Sequence, residues 1–289
     1  MNKNIIAIQG AEGSNHHKVA QDFYGDDIQL KECMSFDILV DSLIDQSANI
    51  GIMALENTIA GSIIPNYALI DKNNLQIIGE EYLNIHHHLM ALAGQEIDDI
   101  QEVWSHPMAL LQCKEFFKKY PHIKMVEDVD TAEVAKRIAQ KQLKGIAAIA
   151  PKIAAEIFGL AILEDDIQTI KDNATRFVIV QTDVPSIDEN CNKASIKFQL
   201  NHKRGSLAAI LNAMSDCKMN LTKIQSLPVI ETPWKYSFFV DVTFEEYKEY
   251  QKAISLIAIM AENFKVLGVY KNGRHPSTLN PFQEKNESI

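Results

Sequence analysis

The sequence lacks the features that mark exported, membrane-spanning and metal-binding chains. Its four cysteines are scattered through 289 residues and form no C-x-x-C pair, so there is no sign of a zinc site or a thioredoxin-like site. No apolar run is long enough to cross a bilayer, and the first apolar run is too short for a signal peptide. Because no export signal is present, we expect reduced thiols and a cytoplasmic location.

Positive charge is scarce. The chain has 28 Lys and Arg residues against 38 Asp and Glu residues, which gives a formal net charge of −10, and no lysine-rich tract occurs. This balance argues against nucleic acid and against anionic membrane surfaces as partners. An anionic substrate would need a local basic group, because the overall field repels it. The hydrophobic content of 46% is enough for a sizeable core.

What the sequence does contain is an alternation of short strands and amphipathic helices between residues 5 and 181. This rhythm predicts mostly parallel sheets covered by helices. The polar stretch 182–193, which carries a proline, indicates a linker. From residue 194 the order strand, helix, strand, strand, helix, strand is the ferredoxin-like pattern. The sequence therefore predicts an α/β chain with a second, smaller unit at its C-terminal end.

Polar motifs follow two of the early predicted strands. Gly10 to Ser14 forms a strand-to-helix turn that either presents backbone N–H groups to an anion or is a tight turn capped by Ser14 or Asn15. Glu56 and Asn57 stand where an apolar strand ends, which is where ligands bind in α/β sheets. They suit recognition of a ligand hydroxyl, and the alternative is a plain polar turn.

The segment SHPMALLQC, residues 105–113, opens a predicted helix at Pro107. Gln112 lies about two turns along this helix, where its amide can face the crevice. His106 is either a general acid or a capping residue. The three adjacent histidines at 86–88 do not predict a metal site, because consecutive strand residues point to opposite faces and their rings diverge.

The segment KDNATRFVIVQ, residues 171–181, places a hydroxyl and a guanidinium at the mouth of a buried strand. Thr175 and Arg176 either begin an ordinary strand or hold an anion and act on it. A guanidinium can bind a carboxylate through two parallel hydrogen bonds, so the second interpretation is chemically possible, but these residues alone leave both interpretations open.

Together these motifs resemble those of the prephenate dehydratase family. The resemblance runs in family order from Ile5 to about Tyr270. The turn at 10–14 resembles G-P-x-G-T, LENTIAGS resembles I-E-N-S-x-x-G-S, SHPMALLQC resembles S-H-P-x-A-L-x-Q-C, and NATRF matches N-x-T-R-F. The later segments RGSLAAIL and KIQSLP resemble the corresponding motifs of an ACT domain. Ala11 stands where the family usually has proline.

The resemblance implies an α/β fold with a two-lobed catalytic domain of the type II periplasmic-binding-protein kind, followed by a ferredoxin-like ACT domain. No chorismate mutase segment precedes residue 1, so we expect the monofunctional form. The expected division is a catalytic domain at 1–182, with lobe one at about 1–82 plus 163–182 and lobe two at about 83–162, then a linker at 183–193, an ACT domain at 194–272 and a tail at 273–289.

The resemblance also implies the reaction. Prephenate would lose carbon dioxide and water to give phenylpyruvate in phenylalanine biosynthesis, and aromatisation would drive the step, so no metal or cofactor is implied. Thr175 would donate a hydrogen bond to the departing hydroxyl, in a chain with Glu56 and Asn57. The substrate-binding residues implied are Arg176, Ser105, Gln112, Gly61, Gly10 and Ser14.

For the C-terminal unit the resemblance implies feedback control by phenylalanine and a homodimer or homotetramer. The effector-binding residues expected are Gly205, Ser206, Leu207, Gln225 and Ser226. The family usually has Glu where this chain has Gln225, and Arg where it has Leu227. The alternatives are a purely structural dimerisation unit, an arogenate dehydratase, and a non-catalytic sensor of small acids with an ACT module.

Overall fold

The computed structural model describes residues 4–186, 188–200, 203–229, 232 and 235–273. The chain divides into two compact units, and each contains two stretches of sequence. Unit 1 is Met1–Gly61 with Tyr82–Phe177, and unit 2 is Ser62–Glu81 with Val178–Ile289. Among the helices of the described residues, none combines the length and the apolarity that a membrane span needs.

The elements follow one another in the order that the hydrophobic pattern predicts. The first part of the chain contains β1 (Ile5–Gln9), α1 (Asn15–Tyr24), β2 (Gln29–Cys33), α2 (Phe36–Ile44), β3 (Ile50–Asn57), β4 (Gly61–Ser62), α3 (Ile64–Lys72), β5 (Gln76–Asn84), β6 (His88–Ala91), β7 (Glu102–Ser105), α4 (Pro107–Phe117), β8 (Lys124–Glu127), α5 (Thr131–Lys141), β9 (Ile146–Ala150), α6 (Lys152–Phe158), β10 (Ala161–Glu164) and β11 (Ala174–Gln181). The second part contains β12 (Lys193–Gln199), α7 (Ser206–Asp216), β13 (Asn220–Pro228), β14 (Tyr236–Thr243), α8 (Tyr247–Met260) and β15 (Glu262–Tyr270).

The first sheet, sheet 1, has the strand order β2-β1-β3-β11-β5, with β4 beside β3. The pairs of β1 with β2 and with β3 are parallel. Its central strands are apolar on both faces, as strands covered by helices must be, and Ile6, Ile8 and Ile52 are fully buried.

The second sheet of unit 1, sheet 2, has the strand order β10-β6-β9-β7-β8. Strand β7 runs parallel to β8 and β9, whereas β6 runs antiparallel to β9 and β10. The predicted parallel character is therefore correct for only part of this sheet. One hydrophobic cluster joins the sheet to α4 through Leu110, Cys113 and Phe117, and another joins it to α5 and α6 through Ile138 and Ala154.

Unit 2 contains the predicted ferredoxin-like arrangement. Its sheet, sheet 3, has the order β13-β14-β12-β15, and its pairs are antiparallel. Alternate residues of β12 send Ile196 and Phe198 into the cluster that α7 and α8 complete. The intervening residues Lys193, Ser195, Lys197 and Gln199 are also buried, although they are polar.

Residues 62–81, which hold α3 and most of β5, contact this polar face of sheet 3 within unit 2. Nζ of Lys193 lies 2.8 and 2.9 Å from the two carboxylate oxygens of Glu80, and both side chains are buried. Lys197 and Lys265 both contact the carboxylate of Asp71, at 3.1 and 3.2 Å. Buried lysines need such partners, because an unpaired charge in a protein interior is strongly destabilising.

Most predicted elements are confirmed, but β2, β4, α3 and β10 were missed. β2 and β10 are edge strands with weak alternation, and β2 buries only Cys33. Helix α3 starts after Ile63, which provides no side-chain cap, so only Pro65 in its first turn marks the start. Strand β3 extends to Asn57, so Glu56 and Asn57 end a strand and do not lie in the turn that follows it.

Candidate active site

Asn57 and Thr175 lie side by side at the ends of two strands of sheet 1. Asn57 is the last residue of β3, and Thr175 is the second residue of β11. Nδ2 of Asn57 donates a hydrogen bond of 2.9 Å to Oγ1 of Thr175. Both residues are buried, with exposed fractions of 8% and 6%. The structure therefore brings together two residues that are 118 positions apart and that the sequence predicted to act together.

The orientation of the Asn57 amide is fixed by its other contacts. Its Oδ1 accepts hydrogen bonds from the backbone N–H groups of Ile59 at 2.9 Å and Ala60 at 2.8 Å. An oxygen accepts these bonds and an NH2 group cannot, so Nδ2 must face Thr175. The hydroxyl oxygen of Thr175 is then an acceptor in this contact, and its own proton remains available to another group.

The same Nδ2 also donates to Oδ1 of Asn173, at 2.6 Å. Nδ2 of Asn173 in turn donates to Oε1 of Gln112, at 3.1 Å. Oε1 of Gln112 also lies 2.8 Å from Nε2 of His87. We call these five residues, Thr175, Asn57, Asn173, Gln112 and His87, the amide network. It connects the C-terminal end of β3 and the N-terminal end of β11, both in sheet 1, with α4, the helix that packs on sheet 2.

Neither Asn173 nor His87 was predicted as a site residue. Asn173 is only 1% exposed, which is unusual for a residue in a polar turn. Its place in NATRF, next to the predicted Thr175, is the signal that could have identified it. The sequence contains no signal that separates His87 from the two neighbouring histidines, and only its contact with Gln112 distinguishes it.

The three adjacent histidine rings have three different partners. His86 contacts Asp166 at 2.6 Å, His88 contacts Asp165 at 2.9 Å, and His87 contacts Gln112. The rings of His86 and His88 lie 6.4 Å apart, whereas His87 contacts a different part of the unit, so the three rings do not converge. In the described part of the chain there is no group of three or more His, Cys, Asp or Glu side chains arranged to hold a metal ion.

Thr175 and Arg176 are consecutive residues of one strand, so their side chains leave β11 on opposite faces. Arg176 is 3% exposed and Glu56 is half-buried. The sequence predicted that the hydroxyl and the guanidinium hold one ligand. That arrangement requires the ligand to lie over the beginning of β11, where it can reach around both faces of the strand.

The turn from Gly10 to Ser14 directs its backbone N–H groups at protein acceptors. Gly10 donates to the carbonyl of Cys33 at 2.8 Å, and the N–H group of Ser14 donates to the carbonyl of Ala11. Oγ of Ser14 accepts from the N–H group of His17, which confirms Ser14 as the cap of α1. Of the two interpretations of this turn, the capped turn is the one seen in the structure.

The other predicted substrate-binding residues of unit 1 have different surroundings. Ser105 is fully buried, and its hydroxyl donates 2.7 Å to the carbonyl of Ile149, so its proton is already engaged. Gly61 is exposed and has φ of +81°. His106 caps α4 by accepting from the N–H group of Met108. This contact matches the second of the two roles that the sequence allowed for His106.

Burial shapes the electrostatics around the network. Burial lowers the pKa of His87, and the hydrogen bond to Gln112 acts in the opposite direction. The neighbouring His88 and His86 lower the pKa further. Burial also raises the pKa of the Cys113 thiol to about 12, which makes this neighbour of Gln112 unreactive. The network therefore consists of neutral hydrogen-bonding groups.

In unit 2, the predicted effector-binding residues lie on α7 and β13. Gly205 adopts φ of +85° immediately before α7, and the hydroxyl of Ser206 donates to the carbonyl of Lys203. Leu207 packs against the core of sheet 3. Gln225 and Ser226 belong to β13, the edge strand of that sheet, and Ser226 is exposed.

Known proteins are similar to this chain over most of its length. A family model described as prephenate dehydratase matches residues 6–185. The bifunctional chorismate mutase/prephenate dehydratase of Buchnera aphidicola subsp. Acyrthosiphon pisum is 29% identical over 92% of this chain and 70% of its own length. The arogenate dehydratase/prephenate dehydratase 2 of Arabidopsis thaliana, a chloroplastic protein, is 34% identical over 92% of this chain and 72% of its own length.

Two solved structures have the same fold. One, described as GqqA, a novel type of quorum quenching acylase, has a TM-score of 0.83 at 24% identity and covers 97% of this chain and 100% of its own. The prephenate dehydratase of Arthrobacter aurescens in complex with L-Phe has a TM-score of 0.80 at 23% identity and covers 93% and 90%. These identities support the fold alone. The family model matches more than half of the chain, and the Arabidopsis relative is 34% identical over 92% of it. The chain therefore belongs to the prephenate dehydratase family.

Proposed function

We propose that Thr175 is the group that assists departure of the hydroxyl when this chain converts prephenate to phenylpyruvate, carbon dioxide and water. In this reaction the bond between the ring and its carboxylate breaks, and its electron pair enters the ring. The bond to the ring hydroxyl breaks at the same time, and the oxygen leaves with one added proton as water. Hydroxide is a poor leaving group, so a donor at that oxygen lowers the barrier.

The observation that carries this role is the contact between Asn57 and Thr175. Because Nδ2 of Asn57 donates to Oγ1 of Thr175, the hydroxyl proton of Thr175 is directed away from Asn57 and can serve the leaving group. A threonine is too weak an acid to give up its proton unaided. We therefore assign it a hydrogen bond to the departing oxygen, with Glu56 and Asn57 supporting the proton's transfer through the site.

The remaining predicted residues would hold the substrate. Arg176 would bind a carboxylate with its planar fork, and Gln112 would orient the ring with its NH2 group. Gly61, an exposed residue at the start of β4, would offer its backbone N–H group to the substrate. Gly10, Ser14 and Ser105 would have to exchange their present hydrogen bonds to bind an oxygen of the substrate, so we assign them weaker roles.

We also propose that residues 194–272 form an ACT domain that binds phenylalanine and assembles the chain into a homodimer or homotetramer. The ferredoxin-like order of unit 2 supports this assignment, as does the fold shared with the Arthrobacter protein, which was solved with L-Phe. Gly205, Ser206 and Leu207 would meet the effector carboxylate, with Gln225 and Ser226 nearby. The catalytic part would be 1–182, in two lobes, joined by the linker 183–193.

Arogenate is the second candidate substrate, because the Arabidopsis relative carries both names. The deciding experiment measures phenylpyruvate release from prephenate and phenylalanine release from arogenate by the purified full chain. We expect turnover of prephenate, suppressed by added phenylalanine. Turnover of arogenate alone would replace the substrate, turnover unaffected by phenylalanine would remove the regulatory assignment, and turnover of neither would refute the catalytic proposal.

A further inference from the structure

We infer that His87 is a positioning residue of the active site, and that it acts by fixing the orientation of the Gln112 amide. This inference rests on the proposed function, because it assigns a task to a residue behind the substrate-binding groups. The backbone fixes the orientation of the Asn57 amide, and each further hydrogen bond of the amide network fixes the orientation of the next group.

The starting point is Asn57. Its Oδ1 is occupied by two backbone N–H groups, so its Nδ2 is the donor to Asn173. Oδ1 of Asn173 is therefore the acceptor, and the Nδ2 group of Asn173 faces Gln112. Consequently Oε1 of Gln112 is an acceptor as well. No amide in this series can be turned over without bringing two oxygens or two NH2 groups into contact.

The series ends at His87. Because Oε1 of Gln112 accepts, the Nε2 atom 2.8 Å away must carry a proton. The other ring nitrogen, Nδ1, is buried and has no hydrogen-bonding partner among the described residues. A proton on Nδ1 would therefore be left without an acceptor, which is costly in a protein interior. These contacts assign the neutral ring with its proton on Nε2.

His87 is itself held in place. It is 5% exposed, and its backbone N–H group donates 2.9 Å to Oε1 of Gln168. The ring thus approaches Gln112 from a fixed position on the connection between β5 and β6. Two donors, from Asn173 and His87, then hold Oε1 of Gln112 from two directions.

These two bonds also determine the direction in which the NH2 group of Gln112 points. With Oε1 fully engaged, the NH2 group is turned away from the network, and it has no acceptor within the described part of the chain. A donor whose direction is set before the substrate binds stabilises the transition state more than a donor that must reorient. Without His87, the amide keeps one of its two fixing bonds and can rotate.

The test compares three replacements of His87 in the full chain. His87→Gln can return a donor near the position of Nε2, whereas His87→Leu removes it and His87→Glu offers only acceptors at neutral pH. We expect kcat to fall roughly 10²-fold for the Leu and Glu variants, with a smaller change in KM, and to recover in the Gln variant. His86→Leu is the matched control, since its exposed ring contacts Asp166 on the opposite side.

A second measurement reports the tautomer directly. The ¹⁵N resonances of the His87 ring in the full chain should show a protonated Nε2 and an unprotonated Nδ1 at neutral pH. The inference is overturned if Nδ1 carries the proton, if the Leu variant keeps its kcat, or if the Gln and Leu variants lose activity equally while remaining folded. Absence of turnover in the unmodified chain would instead refute the proposed function, and the tautomer measurement would still stand.

Discussion

The side chain of Asn57 donates a hydrogen bond to the side chain of Asn173, although 116 positions separate the two residues. Nδ2 of Asn57 lies 2.6 Å from Oδ1 of Asn173. Both are buried, so the contact is shielded from competition by water. Because backbone N–H groups of Ile59 and Ala60 fix the Asn57 amide, this bond gives the Asn173 amide one allowed orientation. The hydroxyl proton of Thr175 and the NH2 group of Gln112 are not used within the network, so both remain available to a ligand.

The hydroxyl of Thr175 is expected to be essential while its methyl group is not. Replacing Thr175 by Val removes the donor but keeps the shape, and should lower kcat by about 10²–10³-fold with little change in KM. Thr175→Ser keeps the hydroxyl and should retain far more activity. The comparison requires steady-state kinetics on both variants, with circular dichroism to confirm folding. Equal activity in the Val and Ser variants would contradict the assigned role.

Asn173 is expected to be needed as a donor as well as an acceptor. Asn173→Asp still accepts from Asn57 but faces Oε1 of Gln112 with a second oxygen, so the Gln112 amide must turn. We expect roughly a 10²-fold loss of kcat/KM. Asn212→Asp, on the exposed face of α7, makes the same chemical change elsewhere and should leave activity intact. A normal kcat/KM in the Asn173 variant would show that the network does not determine activity.

The ion pair between Lys193 and Glu80 is expected to matter for stability. Lys193→Met leaves a buried carboxylate without its cation, and should lower the free energy of unfolding by about 3–5 kcal/mol. Adding Glu80→Gln removes the stranded charge and should restore part of the loss. Lys271→Met alters an exposed pair with Asp188, at 3.9 Å, and should change little. Denaturant unfolding of Lys193→Met, Glu80→Gln, their double variant and Lys271→Met measures these differences, and additive losses would argue against a coupled pair.

Gly268 is expected to tolerate no side chain. A Cβ atom added there would lie 2.1 Å from the carbonyl oxygen of Ile77, which is backbone and cannot rotate away. Gly268→Ala should therefore push β15 away from β5 and cost about 3 kcal/mol of unfolding free energy. Ser226→Ala, on the exposed edge strand β13, is the control. A melting temperature unchanged by Gly268→Ala would show that this packing is looser than described.

Buried His16 predicts a loss of stability in mild acid. Its ring lies between Phe36 and Phe177, with centroids 5.7 and 4.9 Å away, and burial lowers its pKa to about 3. Because the unfolded chain binds this proton more readily, the contribution of His16 is complete above about pH 6.5 and is lost as pH falls towards 3. Between these pH values the free energy of unfolding falls by up to about 1.4 kcal/mol for each pH unit.

His16→Leu should flatten this part of the stability profile, because leucine has no proton to bind. Exposed His122→Gln serves as the control and should leave the profile unchanged. Urea unfolding at several pH values between 4 and 7 measures the slope directly. A slope that His16→Leu leaves unaltered would assign the acid sensitivity to other groups.

The sequence predicted the order of elements well, because apolar strands and amphipathic helices alternate clearly in it. It also identified Thr175, Asn57 and Gln112, which the structure brings into one network. It could not predict that Asn173 joins them, because that contact depends on the relative placement of β3, β11 and α4. Nor could it predict that the backbone N–H group of Gly10 is already bound by Cys33, since β2 is a weakly patterned edge strand.

The placement of residues 62–81 in unit 2 also affects how the protein can be divided or recombined. A chain cut in the linker near residue 182 would look like a complete catalytic half by sequence. Such a fragment would keep Asp71 and Glu80 but lose Lys193, Lys197 and Lys265, which neutralise them. Exchanging the C-terminal segment between relatives therefore requires that α3 and β5 be exchanged with it. A cut near residue 182 would therefore separate side chains that contact each other within unit 2.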